Sequence, residues 1–212
     1  MNLPGVYAVL DAGVAAAHGW TVPDLARAVL SGGARLLQIR AKRLESAALL
    51  ALTREVVAAA RPLDARVVVN DRADLAVLGG ADGVHVGQDD LAPAQARAIV
   101  GPDALVGVST HTGAQVADAA RSPADYIAVG PIFGTRTKDT GYDPVGVALI
   151  ATARAAGLPV VAIGGITLER VPAVVAAGAG SLAIVSDLFT GGDPAARTRA
   201  FVEAVAAAKG GL

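Results

Sequence analysis

Short runs of β-branched and other apolar residues recur along the chain. Longer alanine-rich segments separate them, and in these the apolar positions return every three or four residues. The runs are Val6–Leu10, Leu36–Arg40, Val67–Asn70, Gly83–Val86, Leu105–Ser109, Tyr126–Gly130, Val160–Gly164 and Leu182–Ser186. Most are apolar on both faces, the pattern of parallel strands covered by helices rather than of solvated antiparallel ones. The intervening segments predict helices. Thr21 stands where it can cap the first, with Leu25, Val29 and Leu30 on one face; Ser46 stands where it can cap the second, ahead of Leu49, Leu50, Val56 and Val57. Thr112, Asp143 with Pro144, and Thr167 precede later helices, each just before an apolar-periodic run. A short third helix is expected near Leu75 to Leu78, and a last one from about Ala195 to Ala208. Repeated strand–helix alternation in a chain of this length predicts an α/β fold, a (β/α)8 TIM barrel, as a single domain over residues 1–212. The alternative is a doubly wound open sheet.

Composition narrows the function. Apolar residues make up 53% of the chain and charged residues 17%, too apolar for a disordered chain. A net charge of −1 provides no cationic field for nucleic acid or an anionic membrane, so neither is expected as a partner. The absence of cysteine removes disulfides, thiolate metal sites and thiol nucleophiles, and fits a cytoplasmic protein. No basic segment precedes an apolar run at the start, so no signal peptide is expected. The uncharged stretch from Val171 to Ser186 is interrupted by Pro172, Gly178 and Gly180, unlike a membrane helix of about 20 apolar residues. The composition is compatible with a homo-oligomer. Lysine occurs only at Lys42, Lys138 and Lys209, in a chain that otherwise uses arginine.

In a (β/α)8 barrel the chemistry lies where strands end and the following loops begin. The second strand continues as Gln38-Ile39-Arg40-Ala41-Lys42. Residues two apart share a strand face, so Gln38, Arg40 and Lys42 point together, with Ile39 and Ala41 toward the helices. Two cations and an amide donor at a barrel mouth suit phosphate or diphosphate. The third strand ends Asn70-Asp71-Arg72, and the fourth leads through His85 and Gln88 to Asp89-Asp90. Two carboxylates with substrate phosphate oxygens and waters make a typical Mg²⁺ site. The same aspartates also stand where they can cap the third and fourth helices.

Further round the barrel, Ser109 can donate to a ligand, and His111 is either an acid–base group or a structural histidine. His85, inside an apolar strand, reads as structural. The segment Phe133 to Tyr142 is long for a compact domain and carries Thr135, Thr137 and Lys138, as a loop closing over a phosphate would. Gly164-Gly165 after the seventh strand and Val185-Ser186 at the end of the eighth occupy the recurrent phosphate position of this fold.

Together these segments resemble the thiamine phosphate synthase family: QIRAK at 38–42, VNDRADLA at 69–76, GADGVHVGQDDL at 80–91, GVSTHT at 107–112, GPIFGTRTKDT at 130–140, VVAIGGI at 160–166, and Val185-Ser186. The order and spacing of the motifs are specific, although most are modest singly. The resemblance implies a cytoplasmic transferase of thiamine biosynthesis. It joins a pyrimidine methyl diphosphate to a thiazole phosphate and releases diphosphate, by a dissociative, Mg²⁺-assisted route. It implies that the Gln38-Ile39-Arg40-Ala41-Lys42 segment, Asn70, Ser109 and Lys138 bind the pyrimidine diphosphate. Arg40, Lys42, Ser109 and Lys138 are then the catalytic set. Asp71 and Asp90 become the Mg²⁺ ligands, Asp90 because it matches the second acid after the family's glutamine, here Gln88. Thr135, Thr137, Gly165, Val185 and Ser186 become the thiazole-phosphate contacts. Two other readings use the same barrel: a thiazole tautomerase-like isomerase, which needs only the thiazole-phosphate half, and a catalytically silent phosphate-binding regulator.

Overall fold

The computed structural model describes residues 3–135 and 141–210. Strands β1 (Val6–Asp11), β2 (Leu36–Arg40), β3 (Arg66–Asn70), β4 (Gly83–Val86), β5 (Leu105–Thr110), β6 (Tyr126–Val129), β7 (Val160–Ile163) and β8 (Ser181–Ile184) pair in chain order, and β8 returns to β1 to close the barrel. All pairings are parallel, as the two-sided apolar runs require. The helices are α1 (Ala12–Ala17), α2 (Val22–Ser31), α3 (Ser46–Ala60), α4 (Ala73–Gly79), α5 (Pro93–Val100), α6 (Gly113–Ala120), α7 (Ala148–Ala155), α8 (Val171–Ala176) and α9 (Pro194–Gly210). The (β/α)8 barrel expected from the alternation is the fold. Among the described residues, no helix is long and apolar enough to cross a membrane.

Alternation along each strand builds two cores. Outward residues such as Leu10, Leu37, Ile39, Val67, Val106, Ile127 and Leu182 are buried against the helices. Inward residues, among them Tyr7, Val9, Leu36, Val68, Leu105, Tyr126, Ala128, Val161 and Ala183, fill the barrel. Small residues on β6 and β8 leave open space inside, toward the carboxyl ends of the strands.

Caps decide where several helices start. Thr21 accepts the Asp24 N–H before α2, and Thr112 accepts the Gln115 N–H before α6, both as expected. Three other expectations are corrected. Ser46 is the first residue of α3 rather than its cap; Glu45 holds the cap position without a side-chain bond, and the Ser46 hydroxyl accepts from Arg72 at 3.0 Å. Asp143 and Pro144 do not start α7. The Val145 and Gly146 N–H groups donate to the carbonyls of Pro131 and Ile132 at 2.8 and 3.1 Å, which delays the helix to Ala148. Thr167 precedes a 3-10 turn, Leu168–Arg170, and α8 follows only at Val171. Strands β6, β7 and β8 also end before Gly130, Gly164 and Ser186, so those residues lie in the loops of the barrel mouth.

At the opposite end, two aspartates tie neighbouring strands together. Asp82, just before β4, accepts the Val67 N–H of β3 at 2.7 Å. Asp125, just before β6, accepts the Val106 N–H of β5 at 2.7 Å and forms an ion pair with Arg97. Arg97 also donates to the carbonyls of Gly101 and Pro102. Asp125→Ala would leave the largely buried Arg97 guanidinium without its counter-charge and the Val106 N–H unpaired, at a cost of about 2 kcal/mol. For a chain of this size that lowers Tm by about 4–8 °C in calorimetry. Activity per folded molecule should be unchanged, because this end is remote from the barrel mouth.

Candidate active site

The open space at the carboxyl ends of the strands is a cavity of about 320 Å³, enough for a small-molecule ligand. Its wall from β1 to β5 is polar. Gln38 and Arg40 face inward from β2, as the two-residue alternation predicts, whereas Ile39 and Ala41 are buried on the helix side. Contact between a ligand in the cavity and Ile39 therefore runs through backbone. Ala41 borders an adjoining depression with Arg40, Lys42 and Arg43. Arg40 forms an ion pair with Asp11, whose other carboxylate oxygen caps α1 by accepting the Gly13 and Val14 N–H groups at 3.0 Å each. One aspartate thereby fixes both a helix start and the guanidinium.

Across the cavity floor runs a buried hydrogen-bond chain. The Gln38 amide donates to the Tyr7 hydroxyl at 2.9 Å, and the Tyr7 and Tyr126 hydroxyls meet at 2.9 Å. Tyr126 reaches His85 Nδ1 at 3.0 Å, and His85 Nε2 reaches Ser109 Oγ at 2.9 Å. Burial pushes the Tyr7 phenol up to about 12, against the opposing effect of its hydrogen bonds. Burial likewise holds Tyr126 well above the ordinary phenol value, and the neighbouring Tyr7 adds to it. Both phenols are therefore neutral hydrogen-bonding groups at physiological pH. His85 thus lies in a polar path at the cavity wall. Asn70 lines the same wall. The Gln88 amide donates to the Ser109 carbonyl at 2.6 Å and holds the end of β5.

Beyond β3 lies a carboxylate corner. Asp71 has a φ of 63°, the left-handed region that non-glycine residues rarely adopt. Strain of this kind persists where the surroundings impose it. Here the Asp71 carboxylate meets the Lys42 ammonium at 2.9 Å and lies beside the Asp90 carboxyl. Burial raises the Asp71 carboxyl above its ordinary value and the Asp90 carboxylate raises it further, while Lys42 pulls it down. Asp90 also accepts the Gly87 N–H at 2.8 Å. Neither aspartate caps a helix: the cap positions of α4 and α5 are Arg72 and Ala92. No cluster of three or more metal-ligating side chains occurs among the described residues. A hard cation here would need further oxygens from a ligand and water, and a pair of oxygen donors burdened by mutual repulsion fits that role.

The wall from β6 to β8 is different. Ala128, Val161 and Ala183 make it apolar, and Thr135, Gly165, Val185 and Ser186 rim its mouth. Gly164 and Gly165 have φ values of 97° and 63°, open to glycine at no steric cost. A Cβ on Gly165 would press on the Gly134 carbonyl and the Phe133 side chain. Arg170 lies 4.3 Å above the Phe133 ring and donates to the Gly165 carbonyl, bracing this turn. Thr137 and Lys138 lie outside the described residues. His111 is held by the Gly130 carbonyl and stacks on Tyr142 at 4.2 Å.

The structure therefore gathers Gln38, Arg40, Asn70, Ser109, Thr135, Gly165, Val185 and Ser186 around one cavity, with Lys42, Asp71 and Asp90 joined beside it. Sequence reasoning missed Tyr7, Asp11 and Tyr126, whereas His85, read as a structural histidine, is buried with both ring nitrogens satisfied. The signal for two of these was present: Tyr7, Val9 and Asp11 alternate on β1 as Gln38 and Arg40 do on β2.

Residues 6–188 match the family model described as thiamine monophosphate synthase. The chain is 48% identical over 189 residues to the thiamine-phosphate synthase of Anaeromyxobacter dehalogenans, a match covering 87% of this chain and 85% of that one. It is 45% identical over 193 residues to a thiamine biosynthesis bifunctional protein of Symbiobacterium thermophilum, covering 91% of this chain but only 40% of that longer protein. Among solved structures, a thiamine phosphate pyrophosphorylase from Pyrococcus furiosus superposes with a TM-score of 0.88 at 25% identity, covering 97% of this chain and 96% of that one. With this match across most of its length, the chain belongs to the thiamine monophosphate synthase family.

Proposed function

We propose that this protein is a thiamine-phosphate synthase, a transferase that joins a pyrimidine methyl diphosphate to a thiazole phosphate and releases diphosphate. The observation that carries this reading is the pairing of two anion-directed regions on one barrel mouth. Arg40, Lys42, Asp71 and Asp90 stand at one end, and the glycine turn with Val185 and Ser186 at the other. A tautomerase would leave the first group without a task. Both substrates carry phosphate charge that a bilayer resists, and we assign the reaction to the cytoplasm.

In the dissociative route, the bond between the methylene carbon and the diphosphate oxygen breaks first. The thiazole nitrogen then forms a bond to that carbon, and diphosphate departs. Such a reaction needs no protein nucleophile. Arg40, Lys42 and Lys138 oppose the negative charge that grows on the departing diphosphate. Ser109 donates a hydrogen bond to the same substrate. Asp71 and Asp90 would hold Mg²⁺, which when bound supplies further positive charge for the diphosphate oxygens. Gly165, Val185 and Ser186 with Thr135 and Thr137 seat the thiazole phosphate, and the apolar wall limits water around the reacting carbon.

The deciding experiment supplies purified protein with both substrates, with and without Mg²⁺, and follows diphosphate release and thiamine phosphate together. Both products should form in equal amounts and only with the metal. Binding of thiazole phosphate without turnover would instead indicate the silent regulator, and its isomerisation the tautomerase.

Lys138→Ala should lower kcat by about tenfold or more, since a contact that strengthens with developing charge is lost. Wild-type turnover would remove the lysine from the catalytic set. The raised Asp71 carboxyl permits a sharper test. Without metal, its contribution to stability is present below the ordinary carboxylate range and is lost as pH rises through the raised value. Asp71→Asn should therefore melt at or above the wild-type temperature at pH 8 in EDTA, while its Mg²⁺ titration flattens. Wild-type Mg²⁺ affinity should weaken at mildly acidic pH as the proton competes for the site. A normal titration in Asp71→Asn would show that the aspartate serves only Lys42.

A further inference from the structure

The chain from Gln38 to Ser109 has a direction. Tyr7 and Tyr126 are fully buried, and a buried hydroxyl proton needs an acceptor. The described partners of the Tyr7 oxygen are the Gln38 amide nitrogen and the Tyr126 hydroxyl. The amide occupies the oxygen as a donor, so the Tyr7 proton goes to Tyr126. The Tyr126 proton then goes to His85 Nδ1. Were Tyr126 instead to donate back to Tyr7, the Tyr7 proton would have no described acceptor, at a cost of about 1–3 kcal/mol. With Nδ1 accepting, the neutral imidazole carries its proton on Nε2 and donates it to Ser109 Oγ. The Ser109 hydroxyl is left to donate its own proton elsewhere, and Ser109 lines the cavity.

A glycine makes the crossing possible. Register places Gly107 of β5 beside His85 of β4 on one side and Tyr126 of β6 on the other. A Cβ at position 107 would overlap the Tyr126 hydroxyl and ring and His85 Nδ1. The Tyr126–His85 hydrogen bond exists because position 107 has no side chain.

We infer that Tyr7 and Tyr126 are positioning residues: acting through His85, with Gly107 clearing the path, they fix Ser109 as a hydrogen-bond donor into the cavity before substrate arrives. What the hydroxyl donates to rests on the proposed function, where it is an acceptor atom of the diphosphate-bearing substrate. A donor set in advance spares the site a reorientation as negative charge develops there. A serine free to rotate would present a lone pair to that charge in part of the population. The polarity itself belongs to the unliganded protein and does not depend on the reaction.

The test reads the imidazole first. The chain has three histidines, so His18→Gln with His111→Gln leaves His85 as the sole ¹⁵N-histidine signal. At pH 8 it should be the Nε2–H tautomer with a hydrogen-bonded Nδ1. An Nδ1–H tautomer means that the chain runs from Ser109 toward Gln38, and overturns the proposal. Tyr126→Phe removes the donor to Nδ1 and should move that resonance toward a free imidazole nitrogen; an unmoved resonance also overturns it. In the single-substitution background, Tyr126→Phe should lower kcat/KM by about tenfold. Tyr126→Phe with Ser109→Ala should be no worse than Ser109→Ala alone. Fully multiplicative losses would mean that the tyrosine acts independently of Ser109. If the coupling reaction itself were misassigned, wild type would not turn over while the tautomer result stood.

Discussion

A closed parallel barrel of eight strands admits only a few layers of inward side chains, and everything pointing inward is cut off from water unless it reaches the mouth. In this protein one inward layer is polar. Gln38, Tyr7, Tyr126 and His85 satisfy one another in series, and the series ends on Ser109 at the cavity wall. Each buried polar group has its cost offset by the next, so no member is replaceable in isolation. Below this layer the barrel is filled by residues such as Leu36, Val68 and Leu105. Above it the cavity opens. The polar layer is thus both the roof of the core and the floor of the site.

Charge is arranged by the same economy. Arg40 and Arg97 are both largely buried in ion pairs, with quite different consequences. Arg97 is satisfied by Asp125 and a ring of carbonyls at the amino ends of the strands, where it serves closure of the loops. Arg40 is held by Asp11 at the carboxyl ends, with its flank on the cavity. A guanidinium held by one carboxylate keeps donors for an anionic ligand. Next to it, burial and then the neighbouring Asp90 raise the Asp71 carboxyl, against the opposing pull of Lys42. At this corner three carboxylates, Asp11, Asp71 and Asp90, share two cations, Arg40 and Lys42.

Some positions were legible because one local rule governs them. Two-residue alternation separates Gln38 and Arg40 from Ile39, and that separation holds in three dimensions. Thr21 and Thr112 cap their helices through bonds that span only three residues. Positions governed by distant partners misled local reading. Asp143 and Pro144 look like a helix start, yet backbone pairing with Pro131 and Ile132 keeps the segment out of the helix. Ser46 looks like a cap, yet Arg72 engages its hydroxyl. His85 reads as structural and is so held, but by Tyr126 and Ser109 on other strands, partners that no local reading could name.

The sequence alone therefore determined the element order, the inward and outward faces of the strands, the closed barrel, the family and part of the cavity wall, from Gln38 and Arg40 to Val185 and Ser186. These follow from periodicity, capping and motif spacing, which act over a few residues. Tertiary structure alone decided which side chains complete one another. Asp11 joins Arg40 across 29 positions, and Tyr7 joins Tyr126 across 119. The same is true of the space over Gly107, where the absence of one methyl group lets two neighbouring strands exchange a hydrogen bond. Such pairings depend on the register and curvature of a closed sheet, and no window along the chain contains both partners.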